Sequence, residues 1–229
     1  MPHKKNAAAR TYTISLANRK ARGSGHERLD EILQAARELF LEHGFENVST
    51  RKIAERVGIS QTALFAYYRT KDDILNKLIR DAFAELDSAI AEVDRTATSH
   101  RDWLRLGIAG YITFGLSHPD AYRLAFMVLK TYRKPYNVEP SEPLSEGTRV
   151  GVPIFLRLVE KIDEAMKLGV IRADLGAPML VAQALWASMH GLVAGLIARP
   201  RPLFPWQDVS ALIEAQTSIL LDGMRPQDG

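Results

Sequence analysis

Residues 49–71 read STRKIAERVGISQTALFAYYRTK, and this stretch decides the fold. Ile53, Ala54 and Val57 recur at helical spacing and define the inner face of a short helix over about 50–57. Ala54 is small enough to let a second helix come close. Gly58 supplies the backbone freedom of a tight turn, Ile59 plugs its corner, and Ser60 suits the N-cap of a second short helix over about 60–67. On that helix Leu64 and Tyr67 share a face. Two helices joined so tightly form a helix-turn-helix, and the second has the size that enters a DNA major groove.

Upstream, Ser24-x-x-Glu27 has the form of a capping box. It opens a helix with Leu29, Ile32, Leu33, Ala36 and Phe40 on one stripe, closed by Gly44. Downstream, Thr70-x-x-Asp73 opens a helix from Lys71 to about Arg95, with the stripe Ile74, Leu75, Leu78, Ile79, Ala82, Phe83, Leu86 and Ile90. At ~1.5 Å per residue it spans roughly 35 Å, enough to bridge two domains. Further helices are predicted over about 100–117, 119–131, 152–168, 176–198 and 206–222. Pro119, Pro153, Pro178 and Pro205 are expected at helix starts, where proline is tolerated, with Gly169 and Gly223 at helix ends. Residues 133–149, with Pro135, Pro140 and Pro143, read as the one long loop. No period-2 alternation appears, so the fold class is all-α. The expected division is a basic N-terminal arm at 1–23, a helix-turn-helix domain at 24–70, and a linker helix with a helical bundle at 71–229.

The charge is uneven. Residues 1–71 carry 13 Lys+Arg against 7 Asp+Glu, while residues 72–229 carry 17 against 20. The basic excess therefore lies with the helix-turn-helix, as attraction to phosphate requires. Much of it is Lys4, Lys5, Arg10, Arg19, Lys20 and Arg22, with no acid before Glu27. That arm reads either as a disordered basic tail or as an element that tracks phosphates or the minor groove. It lacks the apolar core of a secretory signal, although its composition is compatible with a transit peptide. There is no cysteine, which excludes disulfides, thiol nucleophiles and thiolate metal sites and fits a reducing cytoplasm. No run of about 18 uncharged apolar residues is present, which argues against a membrane-spanning helix. The richest stretch, Met179–Ala198, is interrupted by Gln183, Ser188, His190 and two glycines, and reads as a buried or interface helix.

The residues Ile32-Leu33, Ala35-Ala36, Leu39-Phe40, Gly44-Phe45, Ser49, Ile53-Ala54, Gly58-Ile59-Ser60, Leu64-Phe65, Tyr67-Tyr68, Lys71 and Ile74-Leu75 resemble, in order and spacing, the DNA-binding head of the TetR family of transcriptional regulators. Thr62, Ala63, Phe65 and Arg69 depart from residues common in that family, so a base preference does not transfer. HPDAYRLAF (118–126) and WASMHGL (186–192) resemble more loosely the subgroup whose effector domain carries Trp-x-x-x-His-Gly. The resemblance implies a ligand-responsive regulator, expected to be a repressor released from a near-palindromic operator by a small, largely apolar effector. It also implies that Tyr67 and Lys71 fall on phosphate-touching positions.

Phosphate contacts need short donors at helix N-termini and cations nearby, which points to Ser49 and Thr50, with Arg51 and Lys52 either adding charge contacts or forming a solvated face. Ser49 also serves as a plain N-cap. Base-edge contacts are expected from Gln61, Thr62, Ala63 and Phe65. Gln61 carries the donor–acceptor pair suited to adenine, and Thr62 and Ala63 offer methyls to thymine. Leu64 and Tyr68 are expected in the core. In the bundle, most of the aromatic and Met residues are core. Tyr111, Phe114, Phe126, Trp186 and His190 are the candidates for the wall of an apolar effector pocket, although a histidine on an apolar helix is more often a hydrogen-bonded core residue.

A single head reads only a half-site, so a two-fold homodimer is expected. Its interface is placed on the last two helices. Ala187, Gly191, Ala194 and Gly195 permit close approach, and Val209, Leu212, Ile213, Gln216, Ile219 and Leu220 form the complementary stripe. The six histidines are scattered, and neither an HExxH pair nor a GxSxG elbow is present, so no enzyme, metal or cofactor is expected. The competing reading is a helical ligand or partner binder whose DNA head is vestigial.

Overall fold

The structure, a computed structural model, describes residues 25–127, 146–199 and 204–226. Ser24, the basic arm and most of the 133–149 loop lie outside them. The described residues form helices α1 (Gly25–His43), α2 (Thr50–Val57), α3 (Gln61–Phe65), α4 (Lys71–Thr96), α5 (His100–Ser117), α6 (Pro119–Tyr122), α7 (Glu146–Lys167), α8 (Pro178–Ala198) and α9 (Val209–Gly223), with no strand.

The head is built by its caps. The Ser49 side chain accepts from the Lys52 amide and caps α2. Gly58, at φ 74°, takes the left-handed conformation that ends it. There Gly58 N–H donates to the Glu55 carbonyl and Ile59 N–H to the Ala54 carbonyl, which satisfies carbonyls that α2 would otherwise leave open. The Ser60 side chain accepts from Ala63 N–H and starts α3 only three residues after α2 ends. α3 is shorter than predicted: it gives way to a turn at Ala66 and Tyr67. Between these corners Ile32, Ala36, Phe40, Phe45, Ile53, Ala54 and Leu64 are almost completely buried.

α4 is the spine. Thr70 and Asp73 form the predicted capping box, and the 26 residues of the helix span roughly 39 Å at 1.5 Å per residue. It packs on α1 at the head end and on α5 and α7 further along; α8 then packs on α5 and α7, and α9 on α5.

Several boundaries differ from expectation. α7 begins at Glu146, so Pro153 lies inside the helix and not at its start. An interior proline removes one ladder hydrogen bond, but tertiary packing holds the extra turns. Gly151 lies so close to α4 that a Cβ there would come within 2.8 Å of the Phe83 ring. The helix after Pro119 is α-helical only to Tyr122 and continues as a π turn over Arg123–Met127, where the Arg123 guanidinium donates to the Ile197 carbonyl. α9 starts at Val209, three residues after the predicted position, with Asp208 as its cap.

α8 is long and apolar enough, by length and composition, to cross a membrane, with a mean hydropathy of 1.6. In that respect Gln183, Ser188 and His190 interrupt it less than predicted. In the fold its stripe Val181, Ala182, Leu185, Met189, Val193 and Ile197 is buried. The opposite side, including Leu180, Ala184, Ala187 and Gly191, is exposed.

Candidate DNA-reading face and effector cavity

Two of the predicted residues, Gln61 of α3 and Thr50 of α2, meet in the head. Gln61, Thr62, Ala63, Phe65 and Tyr67 are exposed, and Thr50 is half-buried. Leu64, which lies between them, is completely buried and anchors α3. Phe65 and Tyr67 are 44% and 39% exposed beside short polar side chains. Gln61 does not hang free: its Nε2 donates to Thr50 Oγ1 at 2.9 Å, joining the starts of α3 and α2. Tyr68 is half-buried against the core, and its hydroxyl pKa is raised by burial and by the neighbouring Asp81 carboxylate.

The cations divide by partner. Arg51 pairs with Glu55 one turn on, and Arg56 pairs with Glu38 and Glu42 of α1. Lys52 Nζ donates to the Asn47 carbonyl. Lys71 is held most firmly. Its ammonium donates to the carbonyls of Phe45 and Glu46 at 2.8 and 3.3 Å and lies 4.3 Å from the centre of the Phe45 ring. It therefore pins the first turn of α4 to the body of the head.

The bundle holds a partly open cavity of about 490 Å³. α4 contributes Phe83, Leu86 and Ile90; α5 contributes Trp103, Leu104, Ile108 and Tyr111; α7 contributes Ile154, Phe155 and Leu158; and α8 contributes Leu185, Trp186 and Met189. Phe126 and Ala125 come from the π turn. Tyr111, Phe126 and Trp186 thus line the cavity. Phe114 and His190 do not, which corrects their placement on its wall. Phe114 is turned away, with its ring 5.4 Å from that of His118. His190 stands behind the wall, stacked on Trp186 with ring centres 5.1 Å apart.

The polar groups behind the wall form a chain. The Tyr111 and Tyr122 hydroxyls are 3.1 Å apart, and the Tyr122 hydroxyl is 2.5 Å from His190 Nδ1. Burial pushes Tyr111 up to about 12, raises Tyr122 and lowers His190, so all three are neutral near pH 7. The chain presents the oriented hydroxyl of Tyr111 to a largely apolar space, whose lining also includes Gln183. Among the described residues no group of three or more His, Asp or Glu could hold a metal ion.

Two family models match this architecture. Residues 32–78 match the bacterial regulatory proteins of the tetR family, and residues 104–220 match the tetracyclin repressor-like C-terminal domain. The chain belongs to the TetR family. Regulators of this family bind DNA, respond to small-molecule ligands and act as dimers. Among its relatives is the transcriptional activator FasR of Mycolicibacterium smegmatis, 28% identical over 100 residues, which are 44% of this chain and 46% of the relative. Another is the transcriptional repressor AcnR of Corynebacterium diphtheriae, 35% identical over 85 residues, 34% of this chain and 45% of the relative. The chain spans about half the length of these curated relatives. The fatty acid degradation regulator FadR from Bacillus halodurans has the same fold, with a TM-score of 0.70 at 18% identity over 92% of this chain and all of that one.

For a TetR-family bundle, the wall residues that sequence reasoning missed are informative. Phe83, Leu86 and Ile90 lie on the α4 stripe and read as plain core; only the third dimension shows a space beside them. The residues expected at a dimer interface differ in what they meet within their own chain. Gly195 is covered by Trp206 of its own chain, whose ring would lie 3.4 Å from an added Cβ, whereas nothing stands within 4 Å of one at Gly191. On α9, Ile213 and Leu220 pack on the chain's own core, while Ile219 is 71% exposed.

Proposed function

We propose that this chain is a ligand-responsive, DNA-binding transcriptional repressor, released from a near-palindromic operator by a small, largely apolar effector. The observation that carries the reading is the double role of α4. Its first turn is pinned to the head through Lys71, and its middle supplies Phe83, Leu86 and Ile90 to the cavity. An occupant pressing on those side chains acts on the same rigid helix that carries the reading face. It would shift the population between DNA-competent and DNA-incompetent arrangements of two heads.

In this reading residues 24–70 are the DNA-binding domain, residues 71–229 form the effector and dimerisation domain, and residues 1–23 are an arm. Ser49, Thr50, Arg51, Tyr67 and Lys71 serve the backbone, and Gln61, Thr62, Ala63 and Phe65 serve the base edges. The Trp186, His190, Gly191 pattern supports assigning the bundle to the Trp-His-Gly subgroup, with His190 a support of the wall. The exposed side of α8 and Ile219 of α9 support an interface with a second copy, and the protein works in the cytoplasm. The test is selection of bound duplexes from a random pool, repeated with apolar compounds added. An inverted-repeat site whose occupancy falls on adding such a compound supports repression by release. A protein that enriches no sequence at moderate salt defeats the reading.

A further inference from the structure

The contact between Thr50 and Gln61 has a direction, and the direction selects a class of base. Thr50 is the first residue of α2 and Gln61 the first of α3. They are eleven apart in sequence, yet the Gln61 amide nitrogen lies 2.9 Å from the Thr50 hydroxyl oxygen. A threonine hydroxyl carries one proton and two lone pairs, and a glutamine amide has a donor end and an acceptor end. With Gln61 Nε2 donating, a lone pair of Thr50 is used and its proton is left over. The Gln61 Oε1 is then the end turned away from Thr50. Gln61 is exposed, so this oxygen belongs to the reading face.

We infer that Thr50 is a positioning residue for base recognition. On DNA, which this inference presupposes, its free proton goes to a phosphate oxygen, and its lone pair keeps Gln61 with the amide oxygen outward. An outward acceptor takes a hydrogen bond from the exocyclic amine of adenine or cytosine in the major groove. It faces an unfavourable oxygen on guanine or thymine. One position of each half-site is therefore restricted to an amino-bearing base, A or C, on the strand read by Gln61. The phosphate contact and the base contact work as one unit: the phosphate holds Thr50 in the role of acceptor, and Thr50 holds the amide from flipping.

The test uses the full chain and a random duplex pool, sequenced after selection, with wild type and the variants T50V, T50S, Q61A and Q61E. Circular dichroism and the melting temperature show which variants remain folded. Wild type enriches a half-site with one position limited to A or C. Q61A frees that position alone. Q61E, which carries only acceptors, keeps the amino-base preference. T50V has the same shape without the hydroxyl, and it lowers discrimination at that same position by roughly fivefold to a hundredfold, the span of one oriented base contact. T50S restores it. If T50V weakens every sequence equally and leaves the position restricted, Thr50 is a phosphate contact only and the inference fails. A Q61A-sensitive position that prefers G or T overturns it as well. If wild type enriches no sequence, DNA binding itself fails, which is a distinct result.

Discussion

The head and the bundle use aromatic side chains in opposite ways. In the head, Phe40 and Phe45 pack with ring centres 5.1 Å apart, and Lys71 covers the outer face of Phe45. The side chains between the helices, Ile32, Ala36, Ile53, Ala54 and Leu64 among them, are almost completely buried. In the bundle, Tyr111, Phe126 and Trp186 stand around about 490 Å³ that no side chain of the described residues fills. A filled core fixes one arrangement of helices, because any shift opens voids or forces clashes. A hollow one leaves dispersion contacts unmade, and an occupant can supply them. By this contrast the head is the rigid part of the chain, and the bundle is the part left incomplete.

Substitutions sharpen this contrast, beginning with the largest effect. Leu64→Ala, at a fully buried site in the head, should cost about 2–5 kcal/mol in denaturant unfolding and abolish DNA binding; a cost well below that range would mean that the head too is loosely filled. Gly115→Ala probes a tight place in the bundle. Its Cβ would fall 2.5 Å from Val193 and 3.0 Å from the Tyr122 ring. Overpacking there should cost about 1–3 kcal/mol, and a neutral result would show that α5 and α8 separate easily.

Next in size is Tyr122→Phe, which breaks the hydroxyl chain and should cost about 1–2 kcal/mol through the groups left unpaired. The same chain has a pH signature. Burial holds the pKa of His190 below its ordinary value, so on acidification the unfolded chain takes the proton first. The contribution of His190 is complete above the unfolded value of about 6.5 and is lost as pH falls through the lower folded value. Wild type should lose more stability between pH 7 and 5 than His190→Gln, as followed by thermal melts; parallel losses would remove His190 from the account.

Ala125→Leu adds bulk toward the cavity and should raise stability by about 0.5–2 kcal/mol while weakening uptake of an apolar fluorescent dye. Destabilisation would mean that the space is not free. Smallest in its effect on the fold is Ile219→Glu, at a side chain 71% exposed: it should change monomer stability by no more than about 0.5 kcal/mol. In sedimentation, however, it should convert a dimer to a monomer if α9 faces a second copy.

Much of the head was legible because its signals are local. Ser49, Gly58, Ser60 and Thr70 act on backbone groups within a few residues, and each stands where its cap or turn was expected. The bundle was legible as helices but not as a space. Pro153 read as a helix start, yet α7 already runs through it from Glu146, with Gly151 packed against Phe83, far away in sequence. Phe114 and His190 carried the composition of a pocket wall, but the direction of a side chain from a buried helix depends on how its neighbours cross. Lys71 shows the same limit within the head, since the carbonyls that hold it are 25 and 26 residues upstream.

The pairing of Arg51 with Glu55 and of Arg56 with Glu38 has a consequence for how the protein behaves as salt changes. When an arginine leaves its carboxylate for a DNA phosphate, the phosphate sheds a condensed counterion, but the abandoned carboxylate gathers one. The net number of ions released per contact then falls below the usual slope of about −0.9 per phosphate. A regulator built this way gives up some attraction in dilute buffer, and its hold on DNA varies less through an osmotic shock.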